Sequence, residues 1–260
     1  MKNDKISEFL RQRIDANDFP SAVYLVAEKG EIVLQDALGL AVVEPEKIEA
    51  KTDTIYDLAS LTKVLITGLL MAKLVDGGKI VLDERVSALF NSFTDDKSDI
   101  TLKNLLTHTS GFEAWRPFYL DNTDISLSLP PVSARIAKLP LANELNTTVT
   151  YSDLNFLVLT GIIERIFDAG VDAIAEKEII KALGLFDTGY NPPTDKRKRI
   201  AASEKGNEFE KQMCIDMGYL AGEDPLRKPA QGKDEVNEAS EKGAQFTFRD
   251  YQIWGEVHDD

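Results

Sequence analysis

The sequence predicts a mixed α/β (α+β) protein, with an antiparallel sheet packed with helices and a helical region beside it. Two observations carry the prediction. Residues 21 to 39 divide into two strand-like segments around a turn, and from Asp57 apolar residues recur at helical spacing for over a hundred positions. Three regions follow from the pattern. Residues 1–56 hold a first helix and strands, 57–200 are mainly helical, and 201–260 read as an irregular insertion returning toward strand character.

The opening segment places Ile6, Leu10 and Ile14 on one stripe and predicts an amphipathic helix. SAVYLVAE, the turn Lys29-Gly30-Glu31 and IVLQDALG then predict a hairpin. The first strand is nearly all apolar, the pattern expected of a strand covered on both faces. Ser60 to Val75 is apolar at helical spacing and stops at Asp76-Gly77-Gly78. Shorter helices are expected at Leu82 to Leu89, Leu102 to Thr107 and Val132 to Leu139. A long helix starts near Ser152 and ends at Asp168-Ala169-Gly170, and another covers Val171 to Leu183, closing at Gly184. Glu204 to Lys242 is charged and broken by Pro225 and Pro229, so it reads as an excursion from the core. FTFRDYQIW then recovers an alternating pattern.

Composition narrows the function. At 260 residues the chain is long enough to bury a sizeable core. Forty-four acidic against 30 basic residues give a formal charge of −14, a field that repels nucleic-acid phosphates. The single cysteine, Cys214, has no partner in the chain for a disulfide. Papain-like catalysis would have only His108 and His258 to pair with it. Two histidines so far apart in sequence do not suggest a zinc site. The longest apolar stretch, Val64 to Val75, is interrupted by Thr67 and Lys73 and is too short to span a bilayer. No secretory signal is visible. The expectation is a soluble protein, cytoplasmic or periplasmic with its signal removed, that uses no metal or organic cofactor.

Two motifs carry chemistry. Ser60-Leu61-Thr62-Lys63 is S-x-x-K, and at a helix start it sets Lys63 one turn beyond Ser60 on the same face. A serine hydroxyl needs a base to become a nucleophile, and a lysine serves when desolvation or nearby cations lower its pKa. The helix N-terminus adds N–H groups suited to a developing oxyanion. Serine is also a favoured N-cap, so the tetrad alone is weak. The second motif is Tyr151-Ser152-Asp153, at the start of the other long helix. There Tyr151 can relay a proton and Asp153 can accept a hydrogen bond from Lys63 and orient it. Its plainer reading is a capped helix with Tyr151 packed over the first turn.

Taken together with ASLTK at 59 to 63, LLTHTSGF at 105 to 112, YSDLNFLVLTGIIE at 151 to 164 and LGLFDTGYNP at 183 to 192, the chain resembles the serine β-lactamase and penicillin-binding-protein superfamily. The likeness is to its class C β-lactamase, D-alanyl-D-alanine peptidase and family VIII esterase branch. It runs from about residue 20 to 192, and the terminal IWGEVHDD is also similar to some members. The resemblance implies a β-lactamase/transpeptidase-like fold. It also implies a serine hydrolase that forms an acyl-enzyme on an ester, amide or β-lactam carbonyl, with Ser60, Lys63 and Tyr151 catalytic. Which of Lys63 and Tyr151 is the base, and which substrate class is used, stay open.

Two departures stand out. The third position of the second motif is Asp153, where the β-lactamases have asparagine. This leans toward the esterase or peptidase relatives, since an ionised aspartate only accepts hydrogen bonds. The third motif of the family, Lys-Thr-Gly, His-x-Gly or Trp-x-Gly on a strand, has no counterpart after Tyr151; Asp187-Thr188-Gly189 lies in a post-helix loop. The sequence therefore looks C-terminally truncated, with sheet strands missing and an open sheet edge that invites self-association. Weak or absent activity in this chain is the matching expectation. His108 in His108-Thr109-Ser110-Gly111 reads as a structural hydrogen-bonding residue.

A short-chain dehydrogenase is excluded twice. The fourth residue after Tyr151 is Asn155 rather than lysine, and no glycine-rich turn follows the first strand. The alternative retained is a ligand-binding protein on the same fold with a retired active site. The partner expected is a small-molecule or peptide substrate, with neither nucleic acid nor a membrane span.

Overall fold

The structure, a computed structural model, describes residues 4–44, 46–118, 129–203 and 208–219. They fall into two compact units. One takes the described residues of 1–58 and 190–207, the other those of 59–189 and 208–243.

In the first unit, helix α1 (Asp4–Asp15) precedes a three-stranded antiparallel sheet ordered β1 (Ser21–Glu28), β2 (Glu31–Val42), β3 (Ile48–Glu49). The hairpin turn is Lys29-Gly30, both at positive φ (52° and 86°), the primed turn that matches strand twist. Ser7 of α1 donates to Asp36 Oδ2 of β2 at 2.7 Å and shares a hydrogen bond with the Tyr24 hydroxyl at 3.0 Å. Gly39 sits at φ 78°, and a Cβ there would run into the Pro20 carbonyl oxygen. The short β3 pairs with β2 and has no signal in the sequence. The expectation that β1 is covered on both faces does not hold. Its second half is exposed, with Leu25 at 56% and Val26 at 40%. An apolar run records a capacity for burial; the layer that would use it is another matter.

The second unit is helical, as expected. Leu61 opens a helix that runs as a π-helical stretch, Lys63–Gly68, into α2 (Leu69–Asp76). Next come α3 (Val86–Leu89), α4 (Leu102–Leu106), α5 (Leu129–Ile136) and the 15-residue α6 (Asp153–Phe167). Then α7 (Val171–Ala175), a π-helical turn (Glu176–Ile180) and α8 (Lys181–Leu183) form one continuous rod. It closes at Gly184 in the left-handed conformation. The core centres on α6, where Leu154, Val158, Leu159, Ile162 and Ile163 are fully buried.

Helix α6 stops after Phe167, as expected, on Asp168 at φ 54°, aspartate being one of the few side chains that tolerate that region. Two boundaries differ from expectation. The helix expected from Leu82 begins only at Val86, because the Leu82 and Glu84 carbonyls accept from the N–H groups of Lys103 and Leu102. The excursion expected over 204–242 contains α9 (Glu208–Asp216); its residues 204–207 and those from 220 on lie outside the described residues. Cys214 of α9 is buried in a cluster with Tyr219, against which Trp115 packs. FTFRDYQIW, His258 and IWGEVHDD also lie outside the described residues. No helix among the described residues is long and apolar enough to cross a membrane.

Candidate active site

The segment before the nucleophile candidate turns sharply. Ala59 has φ 42°, a conformation few non-glycine residues adopt, and the helix begins two residues later. That turn sets Ser60 at the helix entrance, where the Ser60 carbonyl accepts the Lys63 N–H at 3.2 Å. Lys63 lies one turn on and is only 2% exposed. Its Nζ donates to Ser60 Oγ at 3.2 Å and lies 3.1 Å from Asp153 Oδ1. A lysine so deeply buried needs partners, and it has a hydroxyl and a carboxylate. Both come from the two motifs that the sequence singled out. The π-helical stretch begins at Lys63 itself, a departure from α-helix often found at functional sites.

Asp153 opens α6, with its N–H held by the Ala114 carbonyl at 2.8 Å. Ser152, the N-cap residue, is fully buried and spends its hydroxyl on the Glu113 carbonyl at 2.6 Å. It makes no side-chain bond to its own helix. Capping as the whole explanation of the Tyr-Ser-Asp motif is thereby set aside: these residues bind the 113–114 loop and Lys63 instead.

Tyr151 is brought to the same place by a different contact. Its ring lies 5.6 Å from Lys63 Nζ, within cation–π range, and 4.7 Å from the His108 ring. The side chain is half exposed. Among the described residues no hydrogen bond reaches its hydroxyl.

Sequence reasoning gave His108 a structural part, and the structure shows how large that part is. Nδ1 accepts the Ser152 N–H at 3.1 Å and stands 3.3 Å from the Asn155 amide nitrogen. The ring packs against Phe156 as well as Tyr151. Burial, and then the Lys63 ammonium, hold its pKa below the usual 6.5. Asn155 is fully buried, and its carbonyl oxygen accepts from Ser110 Oγ at 2.6 Å. The Ser110–Asn155 pair and the backbone turn at Ala59 have no signature in the sequence.

No group of three or more His, Cys, Asp or Glu side chains converges as a metal site among the described residues. A separate polar cavity of about 380 Å³, lined among others by Asp83, Asp99, Lys103, Asn104 and Asn146, includes none of the four candidate residues.

Comparison with known proteins bears on the family and the fold. The sequence pattern of the Beta-lactamase family matches residues 6–255. The N-acetylmuramyl-L-alanine amidase of Bacillus subtilis (strain 168) is 31% identical over 221 residues, covering 77% of this chain and 49% of the relative. A putative D-alanyl-D-alanine carboxypeptidase of Salmonella heidelberg (strain SL476) is 33% identical over 207 residues, covering 74% and 48%. Among solved structures, a class C β-lactamase superposes with a TM-score of 0.67 at 21% identity, covering 78% of this chain and 54% of that one, a likeness of fold. The chain spans about half the length of the two sequence relatives. With the family pattern spanning nearly the whole sequence, the chain belongs to the Beta-lactamase family.

Proposed function

We propose that the protein is a serine hydrolase that works through an acyl-enzyme, with Ser60 as nucleophile. The observation that carries this reading is the buried Lys63, whose Nζ lies 3.2 Å from Ser60 Oγ and 3.1 Å from Asp153 Oδ1. Lys63 is thus set between the hydroxyl it would deprotonate and the carboxylate that holds it. With the amine neutral, Lys63 takes the Ser60 proton as Oγ attacks the carbonyl carbon. Tyr151, whose ring lies 5.6 Å from Lys63 Nζ, passes that proton to the departing group. The Ser60 N–H at the helix entrance is a donor for the oxyanion. Water then attacks the acyl-enzyme carbonyl, its proton returning through the same pair, and frees Ser60.

The substrate proposed is an amide or peptide carbonyl. The names of the two relatives, an amidase and a putative carboxypeptidase, support it, and a β-lactam or small ester presents the same electrophile. The test is turnover of a D-alanyl-D-alanine peptide, a penicillin and a chromogenic ester by this chain and by Ser60→Ala. Hydrolysis of at least one substrate, slow in this chain, that disappears in the variant is the expected result. Equal hydrolysis by both proteins would reject Ser60.

A second reading, ligand capture without turnover, draws on one feature. Among the described residues after Tyr151, no strand stands where the family's third motif would. Binding of a penicillin without acylation would favour it.

A further inference from the structure

The segment that carries Tyr151 is held by one residue at three points. The carbonyl of His108 accepts the Thr150 N–H at 2.9 Å, and its Nδ1 accepts the Ser152 N–H at 3.1 Å. Between those two donors sits Tyr151, whose ring rests on the imidazole with centroids 4.7 Å apart and planes inclined by 39°. The other neighbour of the imidazole is Phe156, at 5.3 Å. The backbone of His108 is itself pinned, its N–H to the Leu105 carbonyl at 3.2 Å, at a φ of 57°.

Accepting at Nδ1 commits the imidazole to its neutral form with the proton on Nε2. We propose that His108 is the positioning residue of the acyl-transfer site: its neutral imidazole sets Tyr151 beside Lys63, and its protonation releases Tyr151. The inference rests on the reading that Tyr151 relays a proton to and from Lys63. Protonation at Nδ1 would point an N–H at the N–H of Ser152 and at the Asn155 amide. It would also place a second cation near the Lys63 ammonium. The ionisable groups that face the ring are Lys63, from the helix after Ser60, and Tyr151, from the segment before α6. Asp153 pairs with Lys63. Ser152, Asn155 and Phe156 complete the surroundings without charge. Burial and Lys63 together favour the neutral form, so the release belongs below pH 6.5.

Two variants separate the parts. His108→Asn keeps an acceptor where Nδ1 stood and tolerates the left-handed backbone, but has no ring and does not titrate. His108→Phe keeps the ring and loses the acceptor. The chain has only two histidines, so imidazole NMR with His258→Gln as the assignment control reads His108 directly. The expected spectrum is a neutral, Nε2-protonated His108 at pH 7. Tyr151 ring resonances should move in His108→Asn, because the imidazole ring current is gone.

Turnover, or the rate of fluorophosphonate labelling where turnover is slow, is then followed against pH. In His108→Asn the acylation rate should fall about tenfold to a hundredfold, with KM within about twofold and the melting temperature retained. The acid limb of the wild-type profile should lose the part below pH 6.5 that belongs to His108. His108→Phe should also lose rate, since the Ser152 N–H loses its acceptor. An unchanged acid limb in His108→Asn, a charged His108 at pH 7, or Tyr151 resonances that do not move would each overturn the proposal. If wild type takes no label while the His108 and Tyr151 spectra are as expected, the hydrolase reading fails and the placement of Tyr151 by His108 stands.

Discussion

Lys63 Nζ stands 3.1 Å from Asp153 Oδ1, joining the helix that follows Ser60 to the start of α6. The pair is mostly buried, with the lysine side chain 2% and the aspartate side chain 14% exposed. Such a pair contributes little net stability beside an apolar replacement, but breaking it leaves a charge stranded. The same amine lies 3.2 Å from Ser60 Oγ.

Asp153→Asn should therefore destabilise the protein by about 3 kcal/mol in urea unfolding at pH 7, because a buried ion pair loses one of its members. Lys63→Met should abolish acylation. Combining the two should recover most of the stability and none of the acylation. Additive losses in the double variant would show that the two residues do not interact.

Ser110 Oγ and Asn155 Oδ1 form a buried hydrogen bond of 2.6 Å beneath His108. Ser110→Ala removes the donor and leaves a buried oxygen unpaired, an expected cost of about 1–3 kcal/mol in denaturant unfolding. A neutral result would mean that another donor reaches Asn155.

Gly111 sits at φ 88°, its carbonyl accepting the N–H groups of Ala142 and Asn143, and a Cβ there would strike the Asn143 carbonyl. Gly111→Ala should cost more than about 1 kcal/mol and also slow the labelling of Ser60, since the turn carries Ser110 and the segment after it. Loss of stability with an unaltered labelling rate would uncouple this turn from the site.

Glu164 of α6 has a carboxyl pKa raised above the usual 4.5 by burial, an effect opposed by the Val171 N–H it accepts at 2.8 Å and reinforced by Asp172. A raised carboxyl contributes stability that is fully present below pH 4.5 and is lost as pH rises through the folded value. Relative to wild type, Glu164→Gln should gain stability as pH climbs through that window. Melting temperatures between pH 4 and 7 check it, and a constant difference would contradict the assignment.

How much of this was legible in the sequence depends on how local each signal is. The Ser60–Lys63 contact follows from one turn of helix, and the hairpin follows from Lys29-Gly30 between two apolar runs. The Lys63–Asp153 contact is tertiary. It was readable because each residue opens a long helix and opposite charges seldom stay buried without meeting. The helix start at Leu82 was misjudged because the Lys103 and Leu102 N–H groups that claim the Leu82 and Glu84 carbonyls lie outside any periodic pattern. The three points at which His108 holds the Tyr151 segment were hidden because Leu105–His108 and Thr150–Ser152 meet only in the folded chain. The exposure of β1 shows the converse, that an apolar strand states what it can bury and not what covers it.

The most direct test of the account is intact-mass spectrometry of the protein after incubation with a fluorophosphonate, followed by peptide mapping, for wild type and Ser60→Ala in parallel. The account predicts one adduct on wild type, mapped to Ser60, and none on the variant. An adduct that persists on Ser60→Ala, or maps to another residue, would contradict it.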